Sequence, residues 1–237
     1  MIYRAMKLGI VLTLCCFTSS VFAASPTHQY LLTQPSGYND TLGGPALNPL
    51  GGSLSGAGYT FGPGQGLTLT NAVLSDPANY TIDLVFSLDS VSGYYNGWAN
   101  ILNPNNLAHD IGIYSYQGQL SAYPDAISAG QVLFDGQIAD LLLTRNGATG
   151  EMTAYVDGVL AMDFIDSSGN EIYTGDINFF QDDFECCGNQ QEVSGGVLQS
   201  VSIYTGPTAP VPEPSTLLLL GSGLVGLAGL AWRRTRQ

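Results

Sequence analysis

Basic residues are scarce in this sequence. It has 6 Lys plus Arg against 19 Asp plus Glu among 237 residues, a formal net charge of −13. Five of the six bases lie in the terminal segments, so residues 24–207 contain only Arg145 against 18 acids. Proteins that bind nucleic acid need clustered Lys and Arg to contact phosphates. The sequence therefore excludes nucleic acid as a partner.

Cysteine and histidine are also rare, with four and two residues respectively. No Cys-x-x-Cys pair is present, which argues against a zinc site. The sequence also lacks Gly-x-Ser-x-Gly and a Cys-His arrangement for nucleophilic catalysis. None of the five glutamates has an aspartate two residues on, the spacing that would set two catalytic carboxylates on one side of a strand. We therefore expect a protein that is not an enzyme.

The first 23 residues have the features of a secretory signal peptide. Arg4 and Lys7 precede the apolar run LGIVLTLCCF, and small residues then lead to a cleavage site after Ala23. A charged start followed by a short apolar segment is typical of such peptides. Cleavage removes two of the four cysteines and leaves Cys186 and Cys187.

The C-terminal region, residues 208–237, contains a second apolar segment. We predict a transmembrane helix at residues 215–232, because the uncharged stretch beginning at Pro214 would span about 28 Å as a helix. Arg233, Arg234 and Arg236 follow directly, which places the tail on the cytoplasmic side and the preceding domain outside.

Val211, Pro212, Glu213 and Pro214 stand just before this helix. A Pro-Glu-Pro motif, a Gly-rich apolar helix and a terminal arginine cluster together resemble the PEP-CTERM sorting signal over residues 209–237. The resemblance implies an exported protein of a Gram-negative bacterium, processed by an exosortase and delivered to the cell surface or extracellular matrix. It also implies an association with exopolysaccharide or biofilm.

The central residues 24–207 show short apolar alternations separated by Gly, Asn, Asp and Pro, which predicts an all-β sandwich. One strand is expected at 81–89, and Asp157-Gly158 is a strong two-residue hairpin signal. Residues 34–66, rich in Gly and Pro, are expected to form a surface excursion or irregular strands. The predicted core includes Ile82, Leu84, Phe86, Leu142 and Val156.

Four segments in this region, 139–145, 152–158, 177–183 and 195–204, follow one another as they do in laminin-G-like and pentraxin-type domains. The motif ADLLLTR followed by MTAYVDG is the most similar part. The resemblance covers about residues 80–205. It implies a concanavalin A-like jelly roll of two antiparallel sheets, from residue 24 to residue 207.

The same resemblance implies a Ca²⁺ site. Gln181, Asp182 and Asp183 resemble the pentraxin calcium loop, Glu192 lies where that family places another oxygen ligand, and Asp110 corresponds to an earlier ligand. Oxygen ligands of this kind suit calcium. The sequence departs from the family at 184–187, FECC, and a solvated acidic loop is the alternative interpretation.

Two further features bear on binding. Tyr94, Tyr95 and Trp98 lie in the loop SGYYNGW and could stack on sugar rings or, alternatively, cap the core. Cys186 and Cys187 could form a vicinal disulfide, which we favour, or bridge to another chain. The leading hypothesis is a non-catalytic, glycan-binding surface or matrix protein. A purely structural matrix protein and, last, a polysaccharide-degrading enzyme are the alternatives.

Overall fold

The computed structural model describes residues 24–104, 106–184 and 191–208. The predicted signal peptide, the vicinal cysteines, the sorting motif and the helix at 215–232 lie outside these ranges. Within them, no helix has the length and apolar character needed to cross a membrane.

The described residues form strands and a single 3-10 turn at Asn71–Val73. The strands are β1 (His28–Leu31), β2 (Asn48–Leu50), β3 (Ser53–Ser55), β4 (Gly58–Phe61), β5 (Gly66–Leu69), β6 (Tyr80–Leu88), β7 (Trp98–Asn103), β8 (Gly112–Tyr116), β9 (Gln119–Tyr123), β10 (Ala126–Ile127), β11 (Ala139–Arg145), β12 (Glu151–Val156), β13 (Val159–Ile165), β14 (Ile177–Phe179) and β15 (Gly196–Thr205).

Two antiparallel sheets make up the fold, as the sequence predicts. The first sheet, sheet A, has the order β13-β12-β11-β6-β15-β4-β3, and β1 also pairs with β15. The second, sheet B, has the order β10-β9-β8-β7-β14-β5-β2. Strands adjacent in sequence are often apart in the sheets, so distant segments such as β7 and β14 become neighbours. This arrangement brings loops from different parts of the chain together.

The apolar core lies between the sheets. Ile82, Leu84 and Phe86 alternate along β6 and are buried, as is Val156, in agreement with the predicted core. Leu142 is a correction. It is only partly buried, because Leu141 and Leu143 occupy the inward face of β11. The run LLL contains apolar residues on both faces of the strand, so apolar character alone does not reveal which face points inward.

The hairpin predicted at Asp157-Gly158 joins β12 to β13. Both residues have positive φ, 52° and 76°, as a type I′ turn requires. The sequence did not predict β1, β7 or the separate strands β2–β4 within 34–66. These strands are short, and β2 and β3 are exposed, so they carry little of the apolar alternation that identifies a strand.

The two ends of β6 and β15 define two poles of the sandwich. Gly196 pairs with Leu88 at one end, and Thr205 pairs with Tyr80 at the other. The Thr81 hydroxyl donates to the Gly206 carbonyl at 2.8 Å and accepts the Thr208 backbone N–H at 3.0 Å. Hydrogen bonding to the sandwich therefore continues to the last described residue.

Candidate functional site

An aromatic patch covers part of the outer face of sheet B. It consists of Trp98, Tyr114, Tyr116 and Tyr123, which strand alternation and register place on the same side. The ring centroids of Trp98 lie 4.4 Å from Tyr116, 5.8 Å from Tyr114 and 5.5 Å from Tyr123. Of these four residues, only Trp98 was identified from the sequence as a binding candidate. The alternating tyrosines of IYSY (113–116) and SAY (121–123) could have indicated the other three.

The loop before β7 extends this patch. The Tyr94 and Tyr95 side chains are 58% and 45% exposed, so they do not cap the core. The Tyr94 N–H donates to the Val193 carbonyl at 3.0 Å, and the Trp98 N–H donates to the Tyr95 carbonyl at 3.2 Å. Gly93 permits the tight turn, because its φ is +56° and a Cβ there would overlap the Trp98 carbonyl oxygen.

The residues predicted to bind calcium lie beside this aromatic surface. Asp182 and Asp183 are buried, and the Asp182 Oδ2 accepts the backbone N–H groups of Gln191 and Glu192 at 3.0 and 2.9 Å. The Tyr114 hydroxyl donates to Asp183 Oδ2 at 3.3 Å. Asn100 lies on β7 opposite Tyr114 of β8, and its backbone N–H donates to the Glu192 carbonyl at 2.7 Å. Sheet B thus holds segment 181–184 through the Tyr114 side chain and segment 191–193 through the backbone of β7.

The carboxylates of Asp110, Asp182, Asp183 and Glu192 form one electrostatic group, called here the acidic cluster. Burial is the main cause that raises the pKa of Glu192 to about 7, and the charges of Asp182, Asp110 and Asp183 add to it. Burial raises the pKa of Asp182 to about 6, although three backbone N–H donors, those of Glu192, Asp183 and Gln191, oppose the rise. The four carboxylates predicted from sequence therefore lie near one another.

Their arrangement is not that of a formed metal cage. Among the residues that the structure describes, no three His, Cys, Asp or Glu side chains converge closely enough to hold a metal ion. Asp182 Oδ2 and Asp183 Oδ2 both accept hydrogen bonds, and the Gln181 side-chain nitrogen donates to the Leu67 carbonyl at 2.9 Å. The donor atoms suit calcium in type, but calcium binding would require them to rearrange.

A buried amide adjoins the acidic cluster. Asn100 is 1% exposed, and its side-chain atoms make no hydrogen bond of normal geometry with a described group. The amide is nevertheless close enough to the Tyr114 hydroxyl to oppose the rise in the pKa of that phenol, which burial and then Asp183 cause. Buried amides normally have hydrogen-bond partners, and the near approach of the Tyr114 hydroxyl compensates this one only in part.

Another carboxylate pair lies on sheet A, at Asp83 of β6 and Asp140 of β11. Burial, with the neighbouring Asp140 charge, raises the pKa of Asp83 to about 7, and the two carboxyl groups are close enough to share a hydrogen bond. Retaining glycosidases separate their carboxyl groups by about 5–5.5 Å, and inverting enzymes by more. The Asp83–Asp140 pair has neither geometry.

The C-terminal residues 210–236 match the family model of the PEP-CTERM protein-sorting motif. The chain carries this motif, as predicted from Val211, Pro212, Glu213 and Pro214. The motif implies export and exosortase processing in a Gram-negative bacterium. No curated protein matches the sequence.

Solved structures similar to this chain are β-sandwich domains. One is the botulinum neurotoxin serotype D ligand-binding domain in complex with N-acetylneuraminic acid, with TM-score 0.56 and 12% identity, covering 78% of this chain and 48% of that one. Another is domain 4 of AbnA, an extracellular arabinanase from Geobacillus stearothermophilus, in complex with arabinotriose. Its TM-score is 0.52 at 15% identity, covering 77% and 93% of the two chains.

Trypanosoma rangeli sialidase in complex with sialic acid is also similar, with TM-score 0.52 and 14% identity over 76% of this chain and 31% of the sialidase. This chain spans half or less of the neurotoxin and sialidase chains, but most of the arabinanase domain. These identities show the shared sandwich fold alone. No laminin-G or pentraxin domain is named among these matches, so that affiliation stays a prediction.

Proposed function

We propose that this is a non-catalytic, glycan-binding protein of the cell surface or extracellular matrix, sorted there by an exosortase. The observation that carries the proposal is the exposed pair Tyr94 and Tyr95 beside Trp98, Tyr116 and Tyr123 on sheet B. Sugar rings bind to flat aromatic faces, while exposed polar groups such as the Asn96 amide of the same loop provide hydrogen bonds. The matrix exopolysaccharide is the proposed ligand.

The double variant Tyr94→Ala with Tyr95→Ala should weaken binding to matrix exopolysaccharide by about tenfold or more, because exposed aromatic anchors dominate such contacts. Isothermal titration or glycan arrays would measure the loss. The matched control is Tyr155→Ala, which removes an outward tyrosine of sheet A and should leave binding unchanged. Equal effects of the two variants would refute the site.

The two alternatives give different results in the same experiment. A purely structural matrix protein would bind none of the sugars, in either variant. A polysaccharide-degrading enzyme would release new reducing ends from the polymer during incubation. We expect binding without product.

The sorting function is tested separately from the domain. Replacing Pro212, Glu213 and Pro214 together by alanine should abolish exosortase processing and leave a full-length precursor in the inner membrane. Fractionation and immunoblotting would detect it, and wild-type protein in a host without exosortase serves as the reference. Release of the variant as efficiently as wild type would contradict the assignment.

We further propose that the acidic cluster binds Ca²⁺ through Asp110, Asp182, Asp183 and Glu192, with the Gln181 carbonyl assisting. Support comes from the raised pKa values of Asp182 and Glu192, because a bound cation would relieve the burial of like charges. An ion that binds only the folded state adds about 2.7 kcal/mol at a hundredfold excess over its Kd.

Thermal melting in chelator and in millimolar calcium measures this effect. The wild type should gain stability, and Asp182→Asn with Asp183→Asn should gain little. Glu151→Gln with Asp163→Asn removes the same charge at exposed positions of sheet A and should respond as wild type. Magnesium at matched ionic strength controls for screening. Equal shifts with calcium and magnesium in all variants would leave only a solvated acidic loop.

A further inference from the structure

The charges around the aromatic surface are predominantly negative. The acidic cluster lies beside Tyr114, and the exposed Asp125 lies two residues after Tyr123. A ligand that reaches the aromatic patch therefore approaches carboxylates.

No exposed lysine or arginine is available to balance these charges in the part of the chain that the structure describes. Arg145 is the only Lys or Arg in this part of the chain, and it is buried, with 4% of its surface exposed. The Arg145 guanidinium donates to Asp166 Oδ2 at 2.9 Å and to the Ala78 carbonyl at 2.6 Å, and β11 pairs it with Tyr80 at the pole opposite the Tyr94 loop. Arg145 is therefore not available to a ligand at the aromatic patch.

We infer that this surface, without a bound divalent cation, selects glycans that carry no anionic groups, so that their sugars are neutral or amino-bearing. This inference rests on the proposed function. Proteins recognise sugar carboxylates and sulfates largely with Arg, Lys or other strong donors, which make charge-assisted hydrogen bonds. Residues 24–207 carry a formal charge of −17, and their only Lys or Arg is the buried Arg145. Like charges brought together at an interface cost several kcal/mol and oppose association.

The comparison with a solved neighbour sharpens the point. The serotype D neurotoxin domain is similar in fold and holds N-acetylneuraminic acid, an acidic sugar. The two proteins share a fold, but this chain has no exposed Lys or Arg near its aromatic patch among the described residues. The absence of such a base, and not the fold, predicts a different class of sugar for this chain.

The experiment uses matrix exopolysaccharide separated by anion exchange into neutral and acidic fractions. Binding of the processed protein is measured at pH 8, where unperturbed histidines are neutral, in chelator so that divalent ions cannot bridge. A portion of the acidic fraction is chemically reduced, which converts uronates to neutral sugars on the same backbone. We expect at least tenfold tighter binding to the neutral fraction than to the acidic one, and recovery of binding after reduction.

Salt provides a second readout. Raising ionic strength from 20 to 200 mM should strengthen binding to the acidic fraction by screening repulsion, and should leave neutral binding unchanged. The variant Asp125→Lys, beside Tyr123, should improve acidic binding specifically.

One outcome would overturn the inference and leave the proposed glycan site intact. In that outcome the protein binds the acidic fraction in chelator at least as tightly as the neutral fraction, and the Tyr94→Ala, Tyr95→Ala variant loses this binding. Binding that is insensitive to this variant, or absent for every fraction, would overturn both.

Discussion

Replacing Arg145 by methionine is expected to lower the free energy of unfolding by about 3–5 kcal/mol. The Arg145–Asp166 pair is buried, with side-chain exposures of 5% and 0%. Methionine fills similar space but leaves the Asp166 carboxylate buried without its opposite charge. The backbone N–H groups of Asn170 and Glu171 still donate to Asp166, at 2.9 and 3.3 Å, and they compensate only in part. Chemical denaturation of the processed protein measures the loss.

The double variant Arg145→Met with Asp166→Asn separates the two causes. It removes both charges, so it should recover part of the stability lost in the single variant, as replacement of a whole buried pair often does. A loss below about 1 kcal/mol in Arg145→Met would show that water reaches Asp166 and that the pair behaves as a surface salt bridge.

Replacing Glu171 by glutamine should stabilise the protein at alkaline pH by an amount on the order of 4 kcal/mol and have little effect below pH 4.5. Glu171 is fully buried, and neither carboxyl oxygen has a hydrogen-bond partner among the described residues. Burial, followed by the charges of Asp166 and Asp125, raises the pKa of Glu171 from 4.5 to about 8.

The direction of the effect follows from proton binding. Below pH 4.5 the carboxyl group is mostly protonated in both states, so Glu171 destabilises the folded state least there. As pH rises towards 8, the unfolded chain releases this proton while the folded chain retains it, and folding stability falls. Glutamine cannot ionise, so its advantage over wild type should grow from pH 4.5 to pH 8 and then become constant.

Unfolding curves at pH 5, 7 and 9 would measure this trend. Glu151→Gln removes a carboxyl group at an exposed position of sheet A and should show no comparable dependence. A constant difference between Glu171→Gln and wild type across this range would mean that Glu171 titrates alike in both states.

The alternating segments of the sequence predicted much of the fold. The strand at 81–89 is present as Tyr80–Leu88. This strand has one apolar face and a mixed opposite face, so its period of two is visible. Strand β7 was missed because its register shifts between Asn100 and Leu102, so that Ile101 and Leu102 are both buried in succession and the period of two is broken.

The candidate site could be predicted only in part. The resemblance to calcium-binding domains identified Asp110, Asp182, Asp183 and Glu192, which the fold brings near one another. The roles of Tyr114 and Asn100 depend on the register of β7 against β8, which no local pattern specifies. Glu171 was likewise beyond sequence reasoning, since a glutamate in a polar loop gives no sign that it will be buried.

The position of Thr208 bears on how the domain would be oriented towards a membrane. Its N–H is bonded to Thr81, and only residues 209–211 separate it from Pro212, a tether of about 10 Å at full extension. With the helix predicted at 215–232 in the bilayer, we expect the pole bearing Thr81 to lie near the membrane in the unprocessed precursor. The Tyr94 loop follows the other end of β6, whose nine residues span about 30 Å. We therefore expect this loop at the membrane-distal pole of the precursor, where extracellular polymer can reach it without displacing the sorting enzyme.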